Sequence, residues 1–226
     1  MSPDPLNDAR IVDSWRKNAS PWTAAVRENQ IASRTLVTNN AIVDAVLSRS
    51  PRTVLDIGCG EGWLARALVE HGIQPIGVDV VPALIEQARS AGGGEFSVAS
   101  YESIAAGELD VTVDVAVANF SLIGKESVEG VINRAPALLN DGGALIIQTL
   151  HPVASCGDDS YADGWRAGSW AGFSPEFSDP APWYFRTMES WERLLAEGGF
   201  KIVETREPLH PETGKPASVI FIAEPG

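Results

Sequence analysis

The sequence predicts an α/β fold in which a mostly parallel sheet is covered by helices on both faces. Apolar, β-branched runs at 53–57, 76–79 and 113–119 are each followed by a helix-forming stretch. A short run at 96–98 predicts the third strand, so that 113–119 is the fourth and a run at 144–149 the fifth. Strands that alternate with helices in this way lie parallel and are buried on both faces. Two further runs near the end predict two more strands at the edge of the sheet.

The most informative stretch runs from Thr53 to Trp63 and has the pattern of a buried strand, a sharp turn and the start of a helix. Glycines at every second position of the turn allow backbone angles that other residues avoid, and they let a ligand approach the bare main chain. The helix that follows presents free N–H groups and a partial positive charge at its first turn. We therefore expect a small-molecule site beyond the carboxyl end of this strand.

The spacing of acids and glycines narrows the class of ligand. A dinucleotide-binding loop has the pattern Gly-x-Gly-x-x-Gly, whereas here Asp56 precedes alternate glycines at 58–62, and position 63 is Trp. The next predicted strand ends in Asp79, about 20 residues after the first glycine, where a carboxylate can accept hydrogen bonds from both ribose hydroxyls. The loop and the acid together predict a ligand that carries a ribose.

The pattern from Asp56 to Gly62, followed by Asp79, resembles motif I of the class I methyltransferases that use S-adenosylmethionine. Asn119-Phe120-Ser121, at the end of the fourth strand, resembles motif IV, the loop that faces the reacting methyl in that family. The resemblance covers most of the chain and is to the small-molecule type, similar to the ubiquinone and menaquinone biosynthesis methyltransferases. It implies a Rossmann-like sheet of seven strands with an antiparallel last strand and an N-terminal helical cap. It also implies S-adenosylmethionine as cofactor and S-adenosylhomocysteine as product.

The same resemblance implies which residues contact the cofactor. Asp56 is expected to orient the amino end, directly or through water, and the loop contributes its backbone. The position near the adenine is Ser100, where many family members have Asp, followed by Tyr101. Arg34 is the predicted partner of the cofactor carboxylate. The expected set is Arg34, Asp56, Gly58, Cys59, Gly60, Asp79, Val80, Ser100, Tyr101 and Asn119.

Residues 1–50 are predicted to form the helical cap, with apolar residues at helical intervals, a new helix starting at Pro21 and another at 41–47. In the family that the chain resembles, such a segment covers the cofactor. Its aromatic and basic residues are therefore candidates for the site, although core packing and surface charge explain them equally well. These candidates are Trp15, Asn18, Trp22, Arg27 and Arg34.

Residues 150–186 interrupt the alternation of strands and helices with a stretch rich in Gly, Ser, Asp and aromatic residues. Long irregular insertions in compact domains are usually functional or disordered, and disordered segments contain few aromatics. We expect a lid over the substrate, with an oligomer contact as the alternative, so both a monomer and a homodimer stay open.

His151 is the candidate catalytic residue, because it follows the fifth strand at the same edge of the sheet. If the acceptor is a hydroxyl, a neutral imidazole near the methyl can take its proton. The alternative is a structural histidine that holds the turn at Pro152.

Composition and charge limit the possible substrates, location and metal content of the protein. The 226 residues, taken as a single domain 1–226, carry 17 basic and 30 acidic side chains, a net charge of −13, which argues against nucleic acid as the substrate. No apolar run approaches membrane-spanning length, and Met1–Pro5 lacks the layout of a signal peptide. Two cysteines form no disulfide framework, and the histidines and cysteines lack metal-ligand spacing. We expect a cytoplasmic protein without metal.

Two alternatives to methyl transfer remain at this point. An NAD(P)-dependent oxidoreductase shares the first βαβ unit and Asp79, but Trp63 stands where its third glycine is expected. A protein that binds S-adenosylmethionine without catalysis and acts as a regulator also fits the motifs. The accepting atom, O, N or C, is not indicated by the sequence.

Overall fold

The sheet has seven strands in the order β3-β2-β1-β4-β5-β9-β8. In this computed structural model, which describes residues 6–226, the first five strands are parallel, and β9 pairs antiparallel with both β5 and β8. The predicted α/β class and the antiparallel last strand are confirmed. The strands are β1 Thr53–Ile57, β2 Gln74–Asp79, β3 Glu95–Val98, β4 Val113–Asn119, β5 Leu139–Thr149, β8 Phe200–Arg206 and β9 Val219–Pro225, with a separate hairpin of β6 Gly164–Arg166 and β7 Trp183–Phe185.

Eight α-helices surround the sheet or precede it in the described part of the chain. A π-helical turn, Arg34–Thr38, leads into α2, and a 3₁₀ turn, Ala135–Leu138, follows α6. The α-helices are α1 Asp8–Arg27, α2 Asn39–Leu47, α3 Trp63–Val69, α4 Pro82–Ala91, α5 Tyr101–Ala105, α6 Glu126–Arg134, α7 Pro152–Ser155 and α8 Met188–Glu197.

Successive residues of the central strands belong alternately to two different buried apolar clusters. Ala116 and Leu145 belong to the cluster that contains residues of α6 and α8. Val115 and Ile146, their neighbours in sequence, belong to the cluster that contains residues of α2 and α3. Because side chains alternate between the faces of a strand, both faces of the sheet are covered by helices, as the continuous apolar runs predicted.

Helix α1 differs from its prediction, because it continues through Pro21 instead of ending there. A proline inside a helix removes one backbone hydrogen bond and costs about 3 kcal/mol. The cost is offset here by tertiary packing: Ala19 is buried against Val81 and Leu84 at the start of α4, beside the tryptophans of α1.

Strand β5 starts at Leu139, five residues before the predicted Ala144. Val113 pairs with Leu139 and Val115 with Ala144, so residues 140–143 form a bulge between the two pairs. Gly142 has φ +74° in this bulge, a conformation that favours glycine.

The parallel strands place their carboxyl ends along one edge of the sheet. The strand order reverses between β1 and β4, and such a switch point is where open α/β sheets bind ligands. Within residues 6–226, no helix has the length and apolar character needed to cross a membrane. Residues 1–5, and with them the prediction about a signal peptide, lie outside the described residues.

Candidate functional site

The glycine loop after β1 turns back on the end of β2. The amides of Gly58 and Cys59 both donate to the carbonyl of Val78, at 2.8 and 3.0 Å. Gly58 has φ +76°, and a Cβ there would lie 2.9 Å from both Ser121 Oγ and Tyr101 Oη. Close packing against Ser121 and Tyr101 therefore requires glycine at position 58, and residues 58–60 line the cavity at the switch point. The Cys59 thiol is buried, and burial raises its pKa, so the thiol stays protonated near neutral pH and is not a thiolate nucleophile.

Asp79, at the end of β2, lies in the wall of that cavity and holds the glycine loop. Its Oδ2 accepts from the Gly60 amide at 3.0 Å, and its Oδ1 accepts from the Val81 amide at 2.9 Å. Burial raises the pKa of this carboxyl, whereas the backbone N–H groups oppose the shift. Each carboxylate oxygen has a further lone pair that can accept from a ligand hydroxyl.

Asp56 and Arg34 are oppositely charged residues whose charges interact at the site. Asp56 is only 2 % exposed and stands behind the cavity wall. Burial, and then the negative charge of Asp79, raise the pKa of Asp56 to about 7, while the charge of Arg34 acts in the opposite direction. Burial lowers the pKa of Arg34 to about 10, so the guanidinium remains charged near neutral pH.

Arg34 is incompletely paired within the protein. Its Nε donates to Asn39 Oδ1 at 3.2 Å, and its Cζ lies 4.7 Å from the ring centroid of Trp63. Its Nη2 is buried and has no hydrogen-bond partner. A buried donor without a partner costs about 1–3 kcal/mol, so a ligand with an acceptor at this point is favoured.

The loop after β4 supplies a second unpaired atom. Asn119 lines the cavity, and its Oδ1 is buried without a partner. The next residue, Phe120, has φ +54°, and its amide donates to the Gln148 carbonyl at 2.8 Å. Ser121 Oγ donates to the Ile57 carbonyl at 2.6 Å, and Tyr101 Oη donates to the Ser121 carbonyl at 3.0 Å. Positive φ at a non-glycine residue is rare, and such strain clusters at functional sites.

Ser100, predicted to lie near the adenine, uses its side chain to cap a helix. Its Oγ accepts from the Ser103 amide at 3.1 Å and caps α5, and the residue is absent from the cavity wall. Tyr101 and Glu102, which follow it, do line the cavity. Val80, the neighbour of Asp79, also lies in the wall.

The side chain of His151 is engaged outside the cavity wall. Its Nδ1 accepts from the Ala154 amide at 3.3 Å, which caps α7, and its Nε2 lies 3.1 Å from Glu207 Oε1. Its neighbours Leu150 and Pro152 line the cavity, but His151 does not. This placement favours the structural role over the general base, which stays a prediction.

The cavity has a volume of about 480 Å³ and is covered by α1 together with the loop between β6 and β7. Trp15 of α1 and Trp170 of the loop meet edge to face, with ring centroids 5.8 Å apart. Asn18 is buried and bonds the backbone of Ser178 twice: its Nδ2 donates to the carbonyl at 2.7 Å, and its Oδ1 accepts from the amide at 2.9 Å. Asp179 pairs with basic residues of α1. The cap and the insertion therefore form one cover.

An ion cluster below the site was not found from the sequence. Glu61 in the glycine loop accepts from Arg27 Nε at 2.9 Å and from Arg66 Nη2 at 2.7 Å. Arg27 also donates to the Gln87 carbonyl in α4 at 3.0 Å. Glu61 thereby connects the end of α1 to α3 and α4 through the loop. Arg27 is 34 residues from Glu61 in the chain, so no local pattern indicates that pair.

Other residues of the wall also went unpredicted. Glu102, Trp63 and Ser155 line the cavity, and the only signal in the sequence was their position just after a strand, a glycine loop or a proline. Residues 6–226 contain no group of three or more His, Cys, Asp or Glu residues that could hold a metal ion.

The fold and the site together define a class of protein: a Rossmann-like domain in which an acidic residue, Asp79, lies beside a glycine loop at the switch point of the sheet. A sequence model described as a methyltransferase domain matches residues 31–205. Because that match covers most of the chain, the chain belongs to the methyltransferase domain family, and the resemblance found in the sequence is confirmed. Family membership decides against the oxidoreductase alternative.

Curated relatives share part of the chain. An uncharacterized methyltransferase of Schizosaccharomyces pombe is 27 % identical over 172 residues, which cover 71 % of this chain and 64 % of the relative. A ubiquinone biosynthesis O-methyltransferase of Xanthomonas campestris is 32 % identical over 103 residues, 43 % of each protein. The matches span less than two thirds of the length of these relatives.

Solved structures share the fold over nearly the whole chain. Magnesium protoporphyrin IX methyltransferase from Synechocystis, with bound S-adenosylhomocysteine, has a TM-score of 0.69 at 16 % identity and covers 97 % of this chain and 100 % of that one. The 1,6-didemethyltoxoflavin N1-methyltransferase of Burkholderia thailandensis has a TM-score of 0.67 at 20 % identity, with 96 % and 88 % covered. At these identities the likeness concerns the fold.

Proposed function

We propose that the chain binds S-adenosylmethionine at the ends of β1, β2 and β4 and transfers its methyl group to a small-molecule acceptor. The observation that carries this proposal is the pair of unpartnered buried atoms in the cavity wall, Arg34 Nη2 and Asn119 Oδ1, beside Asp79. A donor, an acceptor and a carboxylate complement the three polar parts of the cofactor, which are its carboxylate, its ammonium and its ribose diol. The structural relatives with bound S-adenosylhomocysteine support the same ligand.

The residues present fit these roles. Arg34 would pair with the cofactor carboxylate, and Asn119, with Asp56 behind it, would face the ammonium. Asp79 would accept from the ribose hydroxyls, and the backbone of 58–60 would pack against the ligand. Tyr101, Val80 and the exposed carboxylate of Glu102 would border the adenine, in place of the predicted Ser100 side chain, which caps α5.

When bound, the cofactor supplies a methyl group on a sulfonium, an electrophile with a neutral leaving group. The protein's part is then to align the acceptor and to exclude water. The shared cover of α1 and the β6–β7 loop fits the exclusion of water, and the strained turn at Phe120 fits the positioning of the motif IV backbone. No histidine occurs in the cavity wall formed by residues 6–226, which favours alignment over general-base catalysis.

The net charge of −13 supports a small molecule over nucleic acid as the acceptor. The related proteins include both an O-methyltransferase and an N-methyltransferase, and the choice of O, N or C follows the acceptor. A cytoplasmic location and a monomeric or homodimeric state stay predictions, as does the role of 150–186 as a lid. The remaining alternative is a regulator without catalysis, and measured turnover on an acceptor would distinguish an enzyme from it.

Calorimetry with both cofactors tests the proposal. We expect S-adenosylhomocysteine to bind at least roughly 100-fold more tightly than NAD, a difference of about 3 kcal/mol, because NAD offers no amino-acid end for Arg34 and Asn119. Arg34→Lys serves as a matched variant that keeps the charge but loses the planar donor fork, and it should weaken only S-adenosylhomocysteine. Tight NAD binding without a response to S-adenosylhomocysteine would overturn the proposal.

The variant His151→Gln separates the two roles of His151. Glutamine keeps a polar group near the position of Nε2 but cannot titrate, so we expect turnover within a few-fold of wild type once an acceptor is known. A general base typically contributes about 10²–10⁴ in rate. A loss of that size with unchanged cofactor affinity would instead establish His151 as the base. His71→Gln, at an exposed position, is the matched control.

A further inference from the structure

We propose that Trp22 and Trp63 are positioning residues for the cofactor, and that their rings hold the guanidinium of Arg34 for the carboxylate of S-adenosylmethionine. This inference rests on the proposed function, because it takes Arg34 as the partner of that carboxylate. It goes beyond the proposed function by assigning a role to two aromatic rings that the glycine loop and Asp79 do not explain.

Arg34 is a partly buried cation without a charged partner in the part of the chain that the structure describes. None of the ion pairs among residues 6–226 includes it. Its Nε donates to Asn39, whose amide is neutral. Burial lowers the pKa of the guanidinium to about 10, so it remains charged near neutral pH. Because a buried charge without compensation is costly, other groups must stabilise it.

Two indole rings provide that stabilisation. The Cζ atom of Arg34 lies 4.7 Å from the ring centroid of Trp63 and 5.6 Å from that of Trp22. Both distances fall within the range, up to about 6 Å, over which the face of a tryptophan ring attracts a guanidinium. A guanidinium can stack on aromatic faces and still use its N–H donors for a carboxylate. The rings therefore stabilise the charge of Arg34 without competing for the cofactor carboxylate.

The two rings belong to different elements that meet at the glycine loop. Trp63 is the first residue of α3, directly after the loop, and Trp22 lies in α1, the helix of the cover. A Cβ at Gly60 would lie 3.6 Å from Trp22 Nε1. Arg34 begins the π-helical turn, and it lines the cavity together with Gly60 and both tryptophans. Contacts from α1 and α3 thus fix the guanidinium beside the loop that is proposed to bind the cofactor.

Apolar packing is the alternative role for both rings. Trp63 packs against the buried cluster that contains residues of α2 and α3. Trp22 packs against the cluster formed by Ala19, Val81 and Leu84. Packing depends on apolar volume, whereas attraction to a guanidinium depends on the π electrons of a ring. Leucine, which is apolar but has no ring, and phenylalanine, which keeps one, therefore separate the two roles.

The test compares two ligands on the full chain by calorimetry: S-adenosylhomocysteine and its decarboxylated form, which differ only in the carboxylate. We expect Trp63→Leu to weaken S-adenosylhomocysteine about 5-fold and to leave the affinity for the decarboxylated form unchanged. Trp63→Phe should keep most of the wild-type affinity for both ligands. Trp22→Leu should act in the same direction with a smaller effect, because its ring lies farther from Cζ of Arg34.

A double-mutant cycle shows whether Trp63 acts through Arg34. Arg34→Met keeps a long side chain but removes the charge, so adding Trp63→Leu to it should not weaken S-adenosylhomocysteine further. Trp165→Leu is the matched control, and it should change neither affinity. Trp165 packs against Tyr184 in the β6–β7 hairpin and is not among the described residues that line the cavity.

The outcomes distinguish this inference from the proposed function. Equal losses of both ligands in Trp63→Leu, or an undiminished effect of Trp63→Leu in Arg34→Met, would overturn the inference in favour of packing. Either result would leave the binding of S-adenosylhomocysteine by the wild type as support for the proposed function. Absence of that binding in the wild type would remove both.

Discussion

Replacing Glu61 by alanine is expected to lower the Tm of the chain by about 6–12 °C, from a loss of about 3 kcal/mol in the free energy of unfolding. The Glu61 side chain is 0 % exposed and pairs with two arginines. Without it, Arg27 and Arg66 lose their shared acceptor at the base of the glycine loop. Removing one partner of a buried ion pair costs about 3–5 kcal/mol, and we take the lower end because both arginines are partly exposed and can regain water.

The same variant should also weaken the binding of S-adenosylhomocysteine, because Glu61 lies between Gly60 and Gly62 and fixes the loop to α1 and α3. Glu61→Gln keeps the shape and one acceptor, so its Tm should lie between those of alanine and wild type. Glu126→Gln is the matched control: Glu126 forms an exposed pair with Lys125, and such pairs contribute at most about 1 kcal/mol. A Tm for Glu61→Ala within a degree or two of the control would contradict this role for the cluster.

The sequence predicted those parts of the site that are encoded by adjacent residues. The loop at 58–62 and the acid at Asp79 follow strands whose apolar pattern is unambiguous, and backbone geometry then brings them to one edge of the sheet. The parallel order of β1 to β5 also follows from local patterns, because each strand is joined to the next by a helical or long connection.

Contacts between segments that are distant in the chain could not be predicted from local sequence patterns. The bonds from Asn18 to Ser178, and from Arg27 to Glu61, join residues in separate elements, so neither partner has a local signal. Helix α1 continues through Pro21 because packing against α4 outweighs the local penalty. The cover of the site is thus a product of tertiary structure.

The sequence predicts Ser100 and His151 as site residues because each follows a strand, but local hydrogen bonds determine where their side chains point. Ser100 and His151 both follow a strand, and each accepts an amide three residues further along the chain. Small polar residues and histidines compete for such capping bonds. Position after a strand therefore identifies the correct edge of the sheet, whereas the capping pattern determines whether a side chain is available to a ligand.

Replacing Asp79 by alanine is expected to weaken the binding of S-adenosylhomocysteine by at least roughly 100-fold. In the proposed binding mode, two hydrogen bonds from ribose hydroxyls to a partly buried carboxylate are lost, each contributing about 1.5–3 kcal/mol. The Gly60 amide also loses its acceptor, so part of the effect acts through the glycine loop. Asp79→Asn keeps one acceptor and should lose less affinity, and Asp141→Asn, in the exposed bulge of β5, should lose none.

An analogue of S-adenosylhomocysteine without the ribose 2′-hydroxyl separates the direct contact from the effect on the loop. If Asp79 bonds the ribose, the penalty for removing that hydroxyl should be large in the wild type and small in Asp79→Ala, measured by calorimetry as a double-mutant cycle. The bond requires the ionised carboxylate, and burial raises the pKa of Asp79, so affinity should be retained at higher pH and lost as the pH falls through that pKa. Equal penalties in both proteins would show that Asp79 acts only by holding Gly60 and Val81, and that the ribose lies elsewhere.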